Sequence, residues 1–238
     1  MNFKSSGKIK AVTFSFDDGV LQDIRMIDLM NRYGLKGTFN LNSELFRGRN
    51  ILRFEDQRKH IVHRYIIDKN DVKDVYEGHE VAAHTLTHAN LTELEDDNEI
   101  IRQVEQDRLN LSEIVGYEVV GMAYAGGGIN SNDHCAELIR KHTGIKYARG
   151  LKSSRGFDVP QDLLRFAPSA STDHLDILDE VADRFLALRP DSPQIFYIMG
   201  HTYAMDYEND YWMKLESIFE KISKLDDVFY GTNREVLL

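Results

Sequence analysis

Cysteine, proline and long apolar runs are nearly missing from this chain. Of its 238 residues, one is cysteine and four are proline. The lone thiol, Cys135, excludes an intrachain disulfide. It lies in SNDHCAELIRKH, which reads as the opening turns of a helix, so packing is expected of it rather than nucleophilic chemistry. No stretch reaches the roughly 20 apolar residues of a membrane span. The first residues, MNFKSSGKIK, lack the apolar core of a secretory leader. A cytoplasmic protein with no membrane partner is therefore expected. Basic excess is missing too: 29 Lys and Arg stand against 39 Asp and Glu, a formal net charge of −10. Nucleic-acid partners demand a basic face, so that class is set aside. Repeats, low-complexity tracts and Pro/Ser-rich linkers are absent, and a chain of this length fits one domain spanning 1–238.

What is present is alternation. Short runs rich in Val, Ile, Phe and Tyr predict strands at 11–16, 37–42, 80–85, 119–125, 145–149, 163–168, 194–200 and 228–232. Helical signals fill the gaps between them. Leu21, Ile24, Ile27 and Leu29 recur at near-helical spacing and stop at Gly34, a natural residue to follow a helix. Thr92 with Glu95, and Thr232 with Glu235, have capping-box spacing. HLDILDEVADRFLAL and YWMKLESIFEKISKL are amphipathic. Strand–helix alternation on this scale predicts an α/β fold, either a closed parallel barrel or an open doubly wound sheet. The first strand ends in FDDG and not in a Gly-rich phosphate turn, which favours the barrel. Residues 44–79 read as an insertion between the second and third barrel strands.

Three polar motifs fall at predicted strand ends: Asp17-Asp18-Gly19, His84-Thr85-Leu86-Thr87-His88 and His201-Thr202-Tyr203. In a parallel barrel such ends converge on one rim, where active sites form. If the turn after His84 is helical, a spacing of four puts His84 and His88 on one face. Two imidazoles and one carboxylate make a facial set with open positions, suited to Zn²⁺ and acceptable to Co²⁺, Ni²⁺ or Fe²⁺. His60 and His63 are also closely spaced, but their neighbours alternate like a strand, so a solvated face is expected. His79 sits at a strand start, away from the rim, and reads as structural. Thr172 and Asp173 could cap a helix that begins at His174.

FSFDDG, HTLTH and the strand ending in His201 resemble the signature of the polysaccharide deacetylases, carbohydrate esterase family 4, the NodB-homology domain. The resemblance runs from about residue 10 to the C-terminus. It implies a distorted (β/α)7 barrel of TIM-barrel type and a metal-dependent hydrolase that removes N- or O-acetyl groups from a carbohydrate. It also implies a divalent metal on Asp18, His84 and His88, with Asp17 as general base and His201 as general acid. An acetylated carbohydrate or a small molecule would be the partner. Non-sugar C–N hydrolysis and a catalytically impaired carbohydrate binder are the competing readings.

The chain departs from the family in its third motif. Where the family has Arg-x-Pro-Tyr-Gly, this chain reads Ala123-Tyr124-Ala125-Gly126-Gly127-Gly128. The oxyanion N–H would come from Gly126, with Tyr124, Tyr203 and Arg165 toward substrate. Asp17 would hold its proton more tightly unless Arg149 or Arg165 reaches in. Asp162 and Asp173 are the candidates for the carboxylate that tunes His201, and Asp206 is a further candidate for substrate contact.

Overall fold

The computed structural model describes residues 2–46, 52–55 and 61–238. In chain order the elements are α1 (Asn2–Ser5), β1 (Lys10–Asp17), α2 (Gln22–Arg32), β2 (Gly37–Leu41), β3 (Leu52–Glu55), β4 (Ile61–Arg64), α3 (Val72–Val75) and β5 (Glu80–Ala83). There follow α4 (Asp97–Val115), β6 (Gly121–Ala123), α5 (Asp133–His142), β7 (Tyr147–Arg149), β8 (Ala170–Ser171) and α6 (Leu175–Ala187). The chain ends with β9 (Gln194–Gly200), α7 (Tyr211–Ile222), β10 (Val228–Tyr230) and α8 (Asn233–Leu237).

The parallel strands run in the order β7-β6-β5-β2-β1-β9-β8. Between β7 and β8 the curled sheet is joined irregularly. Arg149 bridges Phe166, Gly150 N donates to Phe166 O at 2.8 Å, and Ser169 N donates to Tyr197 O at 2.7 Å. The result is the distorted (β/α)7 barrel. β10 is an extra strand beside the first half of β1.

The period of two decides what each strand shows the interior. On β1, Val12, Phe14 and Phe16 face the helices, with Phe14 edge-on to Phe219 of α7 at 5.0 Å. Thr13, Ser15 and Asp17 take the opposite face, where Ser15 meets Asn40 and Arg149. This barrel interior is strongly polar and hydrogen-bonded, with Asn233, Thr38, Glu80 and Tyr147 completing it toward the lower end. Gly121 lets Tyr147 enter, because a Cβ there would lie 2.0 Å from its ring.

Several sequence expectations need correction. Residues 163–168 are a turn with one bridge at Phe166, and the strand comes later, at Ala170–Ser171. Asp162 explains this: its carboxylate takes Leu164 N at 2.9 Å and closes the turn. Pro168 then has no N–H for a ladder. Thr92 does not open α4; it lies in a 3-10 turn capped by Asn90, and α4 is capped by Asp96 through Asn98 N. Asp173 caps nothing, since α6 begins beside His174 without a side-chain cap. The Thr232–Glu235 box has both of its bonds, and Gly34 after α2 has φ +64°.

Within 44–79, β3 and β4 pair with each other as an antiparallel hairpin, while β2 and β5 pair directly past it. The exit of that hairpin is stitched to the loop after β1. Leu21 N donates to Tyr65 O at 2.8 Å and Ile67 N to Gly19 O at 2.9 Å. His60 lies outside the described residues. His63 is exposed and stacks on Tyr65. Among the described residues no helix is long and apolar enough to cross a membrane.

Candidate active site

Asp17 ends β1 and points into the barrel, as alternation requires, and the next residue should point away. Asp18 avoids this by adopting φ +84°, a left-handed conformation that Asp tolerates better than most residues. Its N–H still reaches Asn40 O at 3.0 Å, and its carboxylate turns back to the rim. His84 leaves β5 on the interior face. Thr85 and His88 then take φ values of 63° and 62°, so the segment is a tight turn and not the helical turn the spacing suggested. The turn nonetheless brings the two rings together, edge to face, with centroids 5.0 Å apart.

Asp18 Oδ1 lies 3.7 Å from His84 Nε2 and 3.4 Å from His88 Nε2. The three ligand atoms fall within 4.8 Å of one another. His84 Nδ1 is 2.9 Å from Ala123 O, so Nδ1 donates there and Nε2 faces the rim beside Asp18. Asp18 Oδ1 is buried and, among the described residues, accepts no well-aligned hydrogen bond. A buried carboxylate oxygen facing two imidazole Nε2 atoms, with an unaligned ion pair to Arg64 beside it, fits a divalent cation. Burial, with His84 close by, pushes the pKa of His88 down.

Asp17 is organised differently. Its Oδ1 accepts from Arg149 and from Asn40 Nδ2, the latter at 2.8 Å, while Oδ2 faces His84 and His201, each at 4.0 Å. Burial opposes its charge, but Arg149, His84 and His201 outweigh that and hold its pKa at about 2. Arg149, reaching in from the end of β7, is the arginine the third motif lacks. Arg165 is not: it pairs with Asp133 and lines a separate depression with Ile129 and Lys152.

His201 follows β9. Its N–H donates to Asp173 Oδ1 at 3.0 Å, and its Nδ1 lies 2.8 Å from Asp173 Oδ2. Burial alone would lower its pKa, but the bond and charge of Asp173, then Asp18 and Asp17, raise it to about 9. Asp173 is thus the tuning carboxylate, whereas Asp162 pairs with Arg140. Thr202 is anchored by its hydroxyl on buried Asp23, which also takes Val20 N and the Tyr76 hydroxyl.

The cleft has a volume of about 170 Å³. Gly126 and Tyr203 line it as expected. Tyr124 contributes only wall, because its hydroxyl is spent on Leu164 O at 2.9 Å. Gly126 has φ +83°, and a Cβ there would come 2.8 Å from Asn90 Cβ. Asp206 holds Gln22 and Trp212 and does not line the cleft. His79 is buried, with Nδ1 accepting from Gly37 N, and is structural; burial, helped by Lys36, lowers its pKa to about 4. Cys135 packs in the core.

Two residues escaped sequence reasoning. Asp107 of α4 accepts the backbone N–H groups of Ser43 and His84, at 2.7 and 2.9 Å, and ties two strand ends together. Arg64, at the end of the inserted hairpin, lines the cleft with its Nη2 2.9 Å from Asp18 Oδ1. Nothing local in the sequence marks either one.

The family model for polysaccharide deacetylase matches residues 4–148. A search of the curated proteins returned no significant match. Among solved structures, a Mycobacterium smegmatis protein assigned as a polysaccharide deacetylase aligns over 97% of this chain and 90% of its own, at 16% identity and TM-score 0.65. A Streptomyces lividans family 4 carbohydrate esterase, solved with acetate, aligns over 93% and 91%, at 14% identity and TM-score 0.56. A Bacillus anthracis pseudoenzyme of the same esterase family aligns over 97% and 66%, at 16% identity and TM-score 0.58. Identities this low speak to the fold alone.

Proposed function

Because the chain belongs to the polysaccharide deacetylase family, we propose that it is a divalent-metal-dependent hydrolase that removes N- or O-acetyl groups from a carbohydrate. The observation that carries this reading is the convergence of Asp18, His84 and His88 beside Asp17 and His201 on one rim. Asp18, His84 and His88 would hold the cation, with zinc the best match to the donor set. When bound, such a cation polarises the acyl carbonyl and makes water acidic enough to attack near neutral pH.

The chain's own residues supply the rest. Asp17 Oδ2, the oxygen left free by Arg149 and Asn40, takes the proton of the attacking water. Pairing with Arg149 keeps that carboxylate ionised and aimed. His201 Nε2 delivers a proton to the departing amine or alcohol, while Asp173 fixes the ring through Nδ1. The left-handed turn at Gly126 shapes the wall where a backbone N–H would meet the developing oxyanion.

The test is metal content and acetate release measured together. Purified protein should retain one zinc per chain and release acetate from acetylated glycans faster than from simple amides. Asp17→Asn should keep the metal and lower turnover by about 10²- to 10⁴-fold, the usual worth of a positioned base. Normal turnover in Asp17→Asn would remove Asp17 from the mechanism. A metal-free protein that binds glycans without turnover would favour the impaired-binder reading. Faster release from the simple amides would favour a non-sugar amidohydrolase.

A further inference from the structure

Arg64 is 4% exposed and faces the same cleft as the two acids and three histidines. Its guanidinium stands 5.5 Å from the centroid of the Tyr203 ring, which favours a cation there. Its Nε has no hydrogen-bond partner among the described residues, and its contact with Asp18 Oδ1 is an ion pair without hydrogen-bond alignment. A guanidinium carries five N–H donors in a planar fork that matches a carboxylate. Here the fork is buried and lines the cleft, and among the described residues its Nε–H is unused.

Its position is not accidental crowding. The chain that follows Arg64 is pinned to the loop after Asp18 by the Leu21–Tyr65 and Ile67–Gly19 backbone bonds and by the Val20–Ile66 bridge. Val62 of the hairpin packs with Val20 and Tyr203. Asp17 already has Arg149 as its countercharge, so among the described residues Arg64 is balanced by Asp18. A divalent cation on Asp18 takes that balance away and leaves a buried guanidinium beside a dication. Such an arrangement is costly unless an anion joins it.

We infer that Arg64 makes this cleft selective for a substrate with a carboxylate close to the scissile acyl group. This rests on the deacetylase reading and deepens it: the chemistry recognised is a planar carboxylate, held bidentately. Two sources offer it, namely a uronic acid next to the acylated sugar, or an acyl group that itself bears a carboxylate.

The experiment uses the full chain loaded with zinc and three oligosaccharides. One is neutral and N-acetylated, one alternates N-acetyl sugar with uronic acid, and one is a glucosamine oligomer bearing N-succinyl groups. The wild type should favour one of the two acidic substrates at least about tenfold in kcat/KM, and which one identifies the source. Arg64→Gln should erase the preference, read as the ratio of kcat/KM for the acidic over the neutral substrate; Arg64→Lys, which keeps charge but loses the fork, should retain part of it. Calorimetric binding of glucuronate against its methyl ester gives a readout that needs no turnover. The wild type should bind the acid at least about tenfold tighter, and Arg64→Gln should not. If no substrate is cleaved but this binding difference persists, the deacetylase reading fails and the carboxylate site stands. If the neutral substrate is preferred, or Arg64→Gln keeps the acidic preference, the inference is overturned. Tighter zinc binding by Arg64→Gln with no change in substrate preference overturns it too, and assigns Arg64 to guarding the cation site.

Discussion

Asp17 and Asp18 are chain neighbours, yet two different regions of the molecule neutralise them. Asp17 is met by Arg149 from inside the barrel, at the end of a strand whose face is set by pleat geometry. Asp18 is met by Arg64 from a hairpin added outside the barrel. Arg149 is fully enclosed, bonded to Ser15, Asp17 and its neighbour's carbonyl. Among the described residues Arg64 has one misaligned partner and an unpaired Nε. A satisfied buried cation is architecture, whereas an unsatisfied one beside a cleft is poised for a ligand. The barrel sheet thus supplies the cation beside Asp17, and the separate β3–β4 pair supplies the cation beside Asp18.

The contrast can be broken by mutation, beginning with the largest effect. His84→Ala should abolish zinc retention, read by elemental analysis, and bring turnover to background, whereas loss of Arg64 should not strip the metal. Next, Arg149→Met should cost about 3–5 kcal/mol in urea unfolding, because it leaves the Asp17 carboxylate buried and unpaired. Arg64→Met, compared in the zinc-loaded protein, should cost clearly less, and equal losses would end the distinction drawn here. The Asp17 pair also has a pH signature. Its folded pKa is about 2 against an ordinary 3.8, so its stabilisation is present above 3.8 and is lost as pH falls toward 2. Arg149→Met should therefore flatten the acid limb of stability.

Asp173→Asn tests the other side of the barrel rim. His201 has its pKa raised to about 9, so the cation is favoured in the fold, and that stabilisation is lost as pH rises through 9. Without Asp173 the alkaline limb of kcat should move down by about one pH unit or more, while zinc content stays unchanged. An unmoved limb would separate Asp173 from the acid. The smallest effect belongs to Gly126→Ala. A side chain at φ +83° costs about 1–2 kcal/mol, and this one also presses on Asn90. The expected result is a modest stability loss with a weaker kcat, read by thermal melts and acetate release.

Much of the barrel was legible from short stretches. β9 begins and ends where its apolar run does, and β1 and β2 differ from expectation only at their ends. The exception at 163–168 arose because a side chain, Asp162, satisfied the backbone locally before any ladder could. Thr92 misled for a similar reason: Asp96, closer to the true start of α4, caps it instead. In the site, motif residues at strand ends converged as expected. The route was different, though, since Asp18, Thr85 and His88 reach the rim through left-handed backbone that spacing does not reveal. Asp173 and Arg149 were each one of two candidates until the structure chose between them.

The sequence by itself determined the strand alternation, the inward face of β1 and the placing of Asp18, His84 and His88 at strand ends, because these depend on neighbours within a few residues. Only the tertiary structure decided which cations meet the two acids, which carboxylate holds His201, and that Arg64 stands at the cleft. Asp173 and His201 are 28 positions apart, and Asp17 and Arg149 are 132. Such pairings are set by how the barrel closes and where the hairpin is stitched, which no local pattern encodes.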